Sequence, residues 1–320
     1  MDDLLQIRNL KKFFPIREGL LSRVRGYVHA VNDVSFTVKQ GETFGVVGES
    51  GCGKTTMARA ILRLIEPTDG EIIFEGKNLS RLSSEEMRSI RKDMQIIFQD
   101  PFASLNPRMT VKQIISENLK AHNIAKGSEI TERVADVIEK VGLRKDHLSK
   151  YALEFSGGQR QRIGIARALV TNPKLVIGDE PVSALDVSIR AQIINLLEKL
   201  KEDFDLSYII ISHDLNMVEH ISDRVGVMYL GKMVEIAAGF DLYENPLHPY
   251  TKALLSATPL PNPRLKKNRI IIEGDVSSPI HLPRGCFFHP RCFQKGGICE
   301  EVYPDLKDVG NEHFVACHVI

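Results

Sequence analysis

The sequence predicts an α/β protein: a mostly parallel sheet with flanking helices, an antiparallel β subdomain near the start, an inserted helical subdomain, and a small Cys-rich C-terminal unit. Three observations lead there. Short, almost continuously apolar runs such as KLVIGDE and SYIIIS alternate with longer segments of helical periodicity, the pattern of strands buried on both faces. A glycine-rich loop, GESGCGKT, lies between one such strand and the helix after it. Beyond about residue 241 the alternation gives way to proline- and cysteine-containing sequence such as ENPLHPY and HLPRGC.

The elements follow in order. LQIRNLKKFF, AVNDVSFTV and TFGVVG read as β-rich runs, with a hydrophilic insertion, PIREGLLSRVRGY, between the first two. TTMARAILRLI has helical spacing of its apolar residues. EIIFEG and MQIIFQ are strands flanking SSEEMRSIRK, where Ser83 and Glu86 form a capping box. From Pro101 to about residue 170 strand signals vanish, and TVKQIISENLKAH, SEITERVADVIEKVGL and GQRQRIGIARAL are helical. Alternation then resumes through KLVIGDE, SIRAQIINLLEKLKEDF, SYIIIS, LNMVEHIS, RVGVMY and KMVEIA.

Composition bounds the function. With 320 residues, 43% hydrophobic and 26% charged, the chain suits one large folded domain plus a smaller one. A net charge of +1 sets up no field for nucleic acid. No apolar run approaches the roughly 18 residues that cross a bilayer, and MDDLLQIRNL fits neither a signal nor a transit peptide. The expectation is a cytoplasmic protein that meets a membrane through a partner.

GESGCGKT, Gly48 to Thr55, has the G-x-x-x-x-G-K-[ST] spacing in its strand–loop–helix context. Its glycines let backbone amides close around phosphates, Lys54 brings a point charge, and the Thr55 hydroxyl can ligate Mg²⁺. Asp179 and Glu180 end an apolar strand, suiting them to hold Mg²⁺ and to accept a proton from an attacking water. His213 and Gln99 each follow another strand, where ligands of such sheets sit. EFSGGQRQ is a second glycine turn opening a helix, a second anion device in a chain that needs one for its own nucleotide.

In order, GESGCGKT, IIFQDP, EFSGGQRQR, VIGDEP, SALD and IISHD resemble the nucleotide-binding subunit of an ABC transporter over about residues 4 to 237. The resemblance implies a P-loop ABC-type domain over 1–240, with its helical signature subdomain at about 101–165, and a family-specific domain over 241–320. It implies that ATP is bound by Phe14, Ala30, Gly48, Glu49, Ser50, Gly51, Cys52, Gly53, Lys54, Thr55 and Thr56. Phe13 and Tyr27 remain alternatives to Phe14 for stacking adenine. Mg²⁺ falls to Thr55, Gln99 and Asp179, and catalysis to Glu180, His213 and Gln99. Ser156, Gly157, Gly158 and Gln159 would serve the ATP of a partner subunit packed head to tail, with Ser183, Ala184, Leu185 and Asp186 as the D-loop. A plain helix cap explains neither the paired glycines nor Gln159 on this reading.

QDPFASLNPRMTV, NPLHPYTKALLSATP and the tail GCFFHPRC resemble the oligopeptide/dipeptide importer ATPases, a group that includes nickel and glutathione importers. Implied partners are a second, homologous ATPase subunit, two transmembrane permease subunits, and indirectly an extracellular peptide-binding protein, with no nucleic acid. The place is the cytoplasmic face of the membrane. A soluble non-transport ABC ATPase and a non-hydrolysing regulatory subunit are the rival readings. Intact Glu180, His213 and SGGQ oppose the second, and the lone cassette without long coiled coils opposes the first.

Of five cysteines, Cys286, Cys292, Cys299 and Cys317 crowd the last 35 residues. Their spacing matches neither zinc knuckles nor bacterial ferredoxins. The resemblance favours a 4Fe–4S cluster, with zinc as the alternative and His281, His289, His313 and His318 as substitute ligands. The tail is expected to be a poorly cored unit held together by the cluster, whose loss leaves ATP binding at Lys54, on the other domain, intact.

Overall fold

Gly19 and Ser22 close a hairpin, the Ser22 N–H donating to the Gly19 carbonyl at 3.0 Å, in the stretch that reads from sequence as a hydrophilic insertion. The computed structural model describes residues 3–19, 22–258 and 268–320. In it β1 (Asp3–Glu18) and β2 (Arg23–Lys39) run on through that stretch. A solvent-facing hairpin needs no apolar face, so hydrophilicity concealed the strands.

Most of the remaining elements up to residue 238 follow the sequence reading, which assigned none at 77–78 or after 238. In chain order come β3 (Thr43–Val47), α1 (Lys54–Ile61), β4 (Asp69–Phe74), β5 (Lys77–Asn78), α2 (Ser84–Ile90) and β6 (Met94–Ile97). Then come α3 (Val111–Ala121), α4 (Ser128–Lys140), α5 (Gly157–Leu169), β7 (Leu175–Asp179), α6 (Val187–Phe204) and β8 (Ser207–Ile211). The chain continues through α7 (Leu215–Ile221), β9 (Arg224–Tyr229), β10 (Lys232–Ala238), α8 (Gly239–Glu244), α9 (Pro249–Ala257), β11 (Lys307–Asp308) and β12 (Phe314–Val315). The Ser83–Glu86 capping box is formed, with Ser83 N–H on Glu86 Oε2 at 2.8 Å and Glu86 N–H on Ser83 Oγ at 3.3 Å.

The described residues fall into two compact units. The first takes residues 38–43 and 81–211. In it β6, β7 and β8 are parallel, with Met94 opposite Leu175 and Leu175 opposite Ser207. Every residue of β7 and β8 is buried, which is why both read as unbroken apolar runs. Helix α3 packs against α4 and α5, burying Ile114, Ile115, Leu119, Val134, Ile138 and Ile163 at helical spacing.

The second unit takes the described residues of 3–37, 44–80 and 212–320. One sheet has the order β2-β1-β4-β5, with Leu5 opposite Phe74 and Ile7 opposite Ile72 in an antiparallel pairing. Elsewhere in the unit β3 runs parallel to β9, which turns back into β10. The turn residues Leu230 and Gly231 have φ of 42° and 80°, the left-handed pair that suits the twist of a two-residue hairpin. The cysteine-rich tail is no free-standing body. β12 pairs with β10, Val315 opposite Glu235, and Phe288 lies 1% exposed in a core with Tyr229, Tyr250, Val227 and Leu242.

Beneath that core, fully buried Glu235 accepts from the Leu247 and His248 amides at 2.7 and 3.0 Å and meets His313 Nε2 at 2.8 Å. His248 uses Nδ1 to accept the Tyr250 N–H at 3.0 Å and so caps α9. A cap of this kind needs an unprotonated nitrogen. Burial lowers the His248 pKa from 6.5 to about 4, against the opposing pull of Glu235. The unfolded chain therefore takes up the proton first. Stability is fully present above pH 6.5 and is lost as pH falls towards about 4, by about 3 kcal/mol. Urea midpoints measured between pH 7 and 4.5 should fall steeply for the parent chain, and His248→Asn should flatten that slope. An unchanged slope in the variant would assign the acid sensitivity to other groups.

Candidate functional site

In the second unit the phosphate loop leaves buried β3 at Gly48 and enters α1 at Lys54. Gly48, Gly51 and Gly53 have φ of 153°, 81° and 108°. A Cβ on Gly48 would lie 2.2 Å from the Met228 carbonyl oxygen, and one on Gly53 would lie 1.9 Å from that of Ala30. Both glycines are therefore required by sterics as well as by φ, and the Ala30 carbonyl lies against the loop at Gly53. Lys54 is 5% exposed. Its Nζ donates to the Gly48 and Glu49 carbonyls at 2.7 and 3.0 Å and lies 3.7 Å from Cys52 Sγ. Burial pushes the Cys52 thiol up, with Lys54 pulling the other way. Ser50 and Gly51 are exposed at the loop's tip, while Thr55 and Thr56 are half-buried in the first turn of α1.

Of the adenine candidates, Phe13 is engaged with His29, ring centroids 4.3 Å apart. Phe14 stays open, 38% exposed, with only Lys12 Nζ over its ring at 5.0 Å among the described ring contacts. Tyr27 is exposed too. His213, also in this unit, is exposed just past β8, before the Asp214 side chain caps α7 by accepting the Met217 N–H at 3.3 Å.

The first unit carries the acidic residues and the second glycine turn. Asp179 ends β7 at 1% exposure. Glu180 follows with φ of 49°, a left-handed conformation that costs a non-glycine residue on the order of 1–3 kcal/mol and clusters at functional sites. It is held there by its N–H on the Ile211 carbonyl at 2.9 Å and by the Ser183 N–H and Oγ on its own carbonyl at 3.2 and 3.1 Å. Gln99 Nε2 donates to Glu180 Oε2 at 2.9 Å, so two residues 81 apart in sequence meet at neighbouring strand ends. In the D-loop Leu185 is buried, and Ala184 and Asp186 are exposed, with Asp186 at the N-cap of α6.

The signature turn corrects one expectation. Ser156 caps α5 by accepting the Gln159 N–H at 3.4 Å, and Gln159 Oε1 accepts the Ser156 N–H at 3.1 Å. That is a full capping box, so local helix chemistry does explain Gln159. It also bears on the second glycine: a Cβ on Gly158 would lie 2.5 Å from Ile189 Cγ2. Ser156 itself is exposed.

The tail bears on two more. Among the described residues no three or more Cys, His, Asp or Glu side chains are arranged to hold one ion. Burial pushes Cys286 up to about 11, with further upward pressure from Cys299, Cys317 and Cys292; burial and neighbouring thiols raise Cys292 and Cys317 as well. Backbone N–H groups of Phe288, Gln294 and Val319 are directed at three of the sulfurs. His313, His289 and His318 are engaged with Glu235, the Cys286 carbonyl and the Val302 carbonyl.

Nor is the tail independent of the phosphate loop. Arg291 donates from Nη1 to Glu49 Oε2 at 2.9 Å and from Nη2 to Oε1 at 3.3 Å. Tyr250 Oη accepts the Glu49 N–H at 2.8 Å. Sequence reasoning missed both residues. They lie 242 and 201 positions from Glu49, and HPYT and HPRC served it only as marks of resemblance.

Comparison with known proteins shows the family. The "ABC transporter" family model matches residues 31–183, and "Oligopeptide/dipeptide transporter, C-terminal region" matches 234–299. The chain is 55% identical over 99% of its length, and 98% of the relative's, to the oligopeptide transport ATP-binding protein AppF of Bacillus subtilis strain 168. It is 50% identical to the oligopeptide transport ATP-binding protein OppF of Haemophilus influenzae Rd, covering 98% of this chain and 96% of that one. A solved dimeric ATP-binding cassette in a post-hydrolysis state with ADP and Pi superposes with a TM-score of 0.65 at 27% identity, over 73% of this chain and 98% of that one. The chain is an ABC ATPase and belongs to the ABC transporter family, in its oligopeptide/dipeptide transporter group.

Proposed function

We propose that this chain is the ATP-hydrolysing subunit of an importer of dipeptides and oligopeptides. The observation that carries the peptide reading is identity of 55% extending through the C-terminal region as well as the cassette. The hydrolytic reading rests on the strained Glu180 held by Gln99. ATP phosphates are received by the amides of Gly48–Thr56 and by Lys54, adenine by Phe14 beside Ala30. Mg²⁺ suits the donor set of Thr55 hydroxyl, Gln99 amide oxygen and the buried Asp179 carboxylate, and when bound it neutralises phosphate charge. Glu180 takes the proton of the attacking water as the new O–Pγ bond forms and the bond to the ADP oxygen breaks. His213 orients that water, and Gln99, whose Nε2 lies 2.9 Å from Glu180 Oε2, positions the carboxylate.

Ser156, Gly157 and Gly158 serve the ATP of a second, homologous ATPase subunit, with Ser183–Asp186 along the shared interface. The exposure of Ser156 at a helix N-terminus supports this. The cassette lies over 1–240 and the family-specific region over 241–320, in line with the two matched stretches. No described helix is long and apolar enough to cross a membrane. On the importer reading, attachment to the cytoplasmic face is through two permease subunits. Exposed Phe102, Tyr151 and Leu153 in the first unit, with Arg160 stacked over Phe102 at 4.4 Å, offer an apolar surface for them.

A thiolate-bound 4Fe–4S cluster on Cys286, Cys292, Cys299 and Cys317 is supported by the crowding of all four into the last 35 residues and by amides directed at three of the sulfurs; when bound it would cross-link the tail. Protein isolated without oxygen should be brown, hold about four irons per chain, and lose colour on Cys292→Ser. One zinc and no iron would replace the cluster with a zinc site.

Two measurements test the ATPase reading. Glu180→Gln should bind Mg-ATP like the parent and hydrolyse it at least about a hundredfold more slowly, as loss of a general base predicts; parental turnover in the assembled transporter would refute that role. Ser156→Arg should leave ATP binding to the isolated chain intact and abolish ATP-dependent dimer closure. Equal loss of binding by the monomer would mean the turn serves its own site.

A further inference from the structure

We infer that Arg291 and Tyr250 are positioning residues for nucleotide binding: from the C-terminal region they fix Glu49 of the phosphate loop and cancel its charge beside an anion site. The inference rests on the reading that Gly48–Thr55 receives the phosphates of ATP. That loop, GESGCGKT, contains one acid among small neutral residues and its lysine. An uncompensated carboxylate at that point would repel a triphosphate.

Arg291 removes the repulsion with a two-pronged contact, its side chain 9% exposed and that of Glu49 26%. Paired hydrogen bonds of this kind fix the carboxylate plane as well as its charge. The Arg291 Nη1 also lies 3.5 Å from the Tyr229 hydroxyl. Tyr229, Tyr250 and Phe288 pack ring to ring at centroid distances of 4.7 to 5.4 Å, so both anchors rise from a buried aromatic base. Burial pushes the Tyr250 phenol well above its usual value and keeps the hydroxyl neutral.

Each polar group of Glu49 is therefore engaged. Its carboxylate and N–H are held by the C-terminal region, and its carbonyl accepts from Lys54 Nζ at 3.0 Å and from the Cys52 N–H at 3.3 Å. When phosphates draw the Lys54 ammonium outward, the loop loses those internal ties. A loop pinned at Glu49 from outside keeps its shape, and this preorganisation lowers the cost of binding.

The test is Mg-ATP binding to the full chain, by calorimetry, with Lys54→Ala as the control that must lose binding. Arg291→Gln should bind about tenfold more weakly, the size expected for loss of a charge-assisted pair. Glu49→Gln/Arg291→Gln should recover most of that loss, because the lone carboxylate is gone, and Arg291→Lys should recover part. Tyr250→Phe should weaken binding several-fold. In the assembled transporter these changes should raise KM for ATP and leave kcat near the parental value. If Arg291→Gln binds like the parent while Lys54→Ala does not, the positioning role is overturned and the phosphate-loop reading stands. A double variant as weak as Arg291→Gln would overturn charge cancellation. Parental binding by Lys54→Ala would overturn the loop reading itself.

Discussion

Lys54 carries an ammonium into a place where it is 5% exposed, and much of the second unit can be understood as the means of keeping it there. A buried charge is costly unless it is hydrogen-bonded. Here the bonds come from the carbonyls of Gly48 and Glu49, turned inward by a loop whose glycines take positive φ. A loop twisted in this way is of the kind whose amides can cradle an anion, so seating the lysine and shaping the cradle are one conformational event. The walls are supplied at a distance in sequence. The Met228 and Ala30 carbonyls leave no space for a side chain at Gly48 or Gly53. The β9–β10 turn joins both walls to the loop, with the Gly231 N–H on the Cys52 carbonyl at 2.9 Å and the Asn32 N–H on the Gly231 carbonyl at 2.8 Å.

In the first unit the comparable device is the N-terminus of α5. A helix start has amides without internal partners, and it can satisfy them with its own side chains or with a ligand. Ser156 and Gln159 do the former reciprocally. The two uses are not exclusive. A Ser156 Oγ held on the Gln159 amide at 3.4 Å makes a long, weak bond, so a phosphate placed there, as proposed above, would compete for the same donors at little cost. The capping box by itself keeps the turn folded.

Legibility from sequence divides along physical lines. Buried parallel strands announce themselves because both faces are apolar, so β3, β7 and β8 were readable, and with them the strand-end positions of Asp179, Glu180 and Gln99. The phosphate loop was readable because its chemistry is local. The β1–β2 extension was not, since a solvated hairpin carries no apolar alternation. The strain at Glu180 was not, because a left-handed glutamate has no signature beside it. Arg291 and Tyr250 were hidden for another reason: their partner is one residue of a loop more than two hundred positions away, and an arginine beside a cysteine or a tyrosine after a proline carries no local sign of such a contact.

That distance changes what the cysteine tail can be for. Read as a free-standing unit it would have no route to the nucleotide. Instead Arg291 stands one residue before Cys292, in the short turn His289–Arg291 that follows Cys286 and Phe288. The Cys286 N–H donates to the Cys299 carbonyl at 2.8 Å, and Gly285 sits so tightly against Cys299 and Glu300 that a Cβ would lie 2.4 Å from the Cys299 carbonyl oxygen. Any bond that draws the four thiols together narrows the conformations of this turn and hence of the guanidinium it carries. Loss of such a cross-link returns that conformational freedom to Arg291, and the entropy of ordering it must then be met again each time Glu49 is held. The chain from thiols to turn, to guanidinium, to loop carboxylate, to lysine consists of adjacent residues and hydrogen bonds within one compact unit, so order in the tail and order in the phosphate loop are linked by direct contacts.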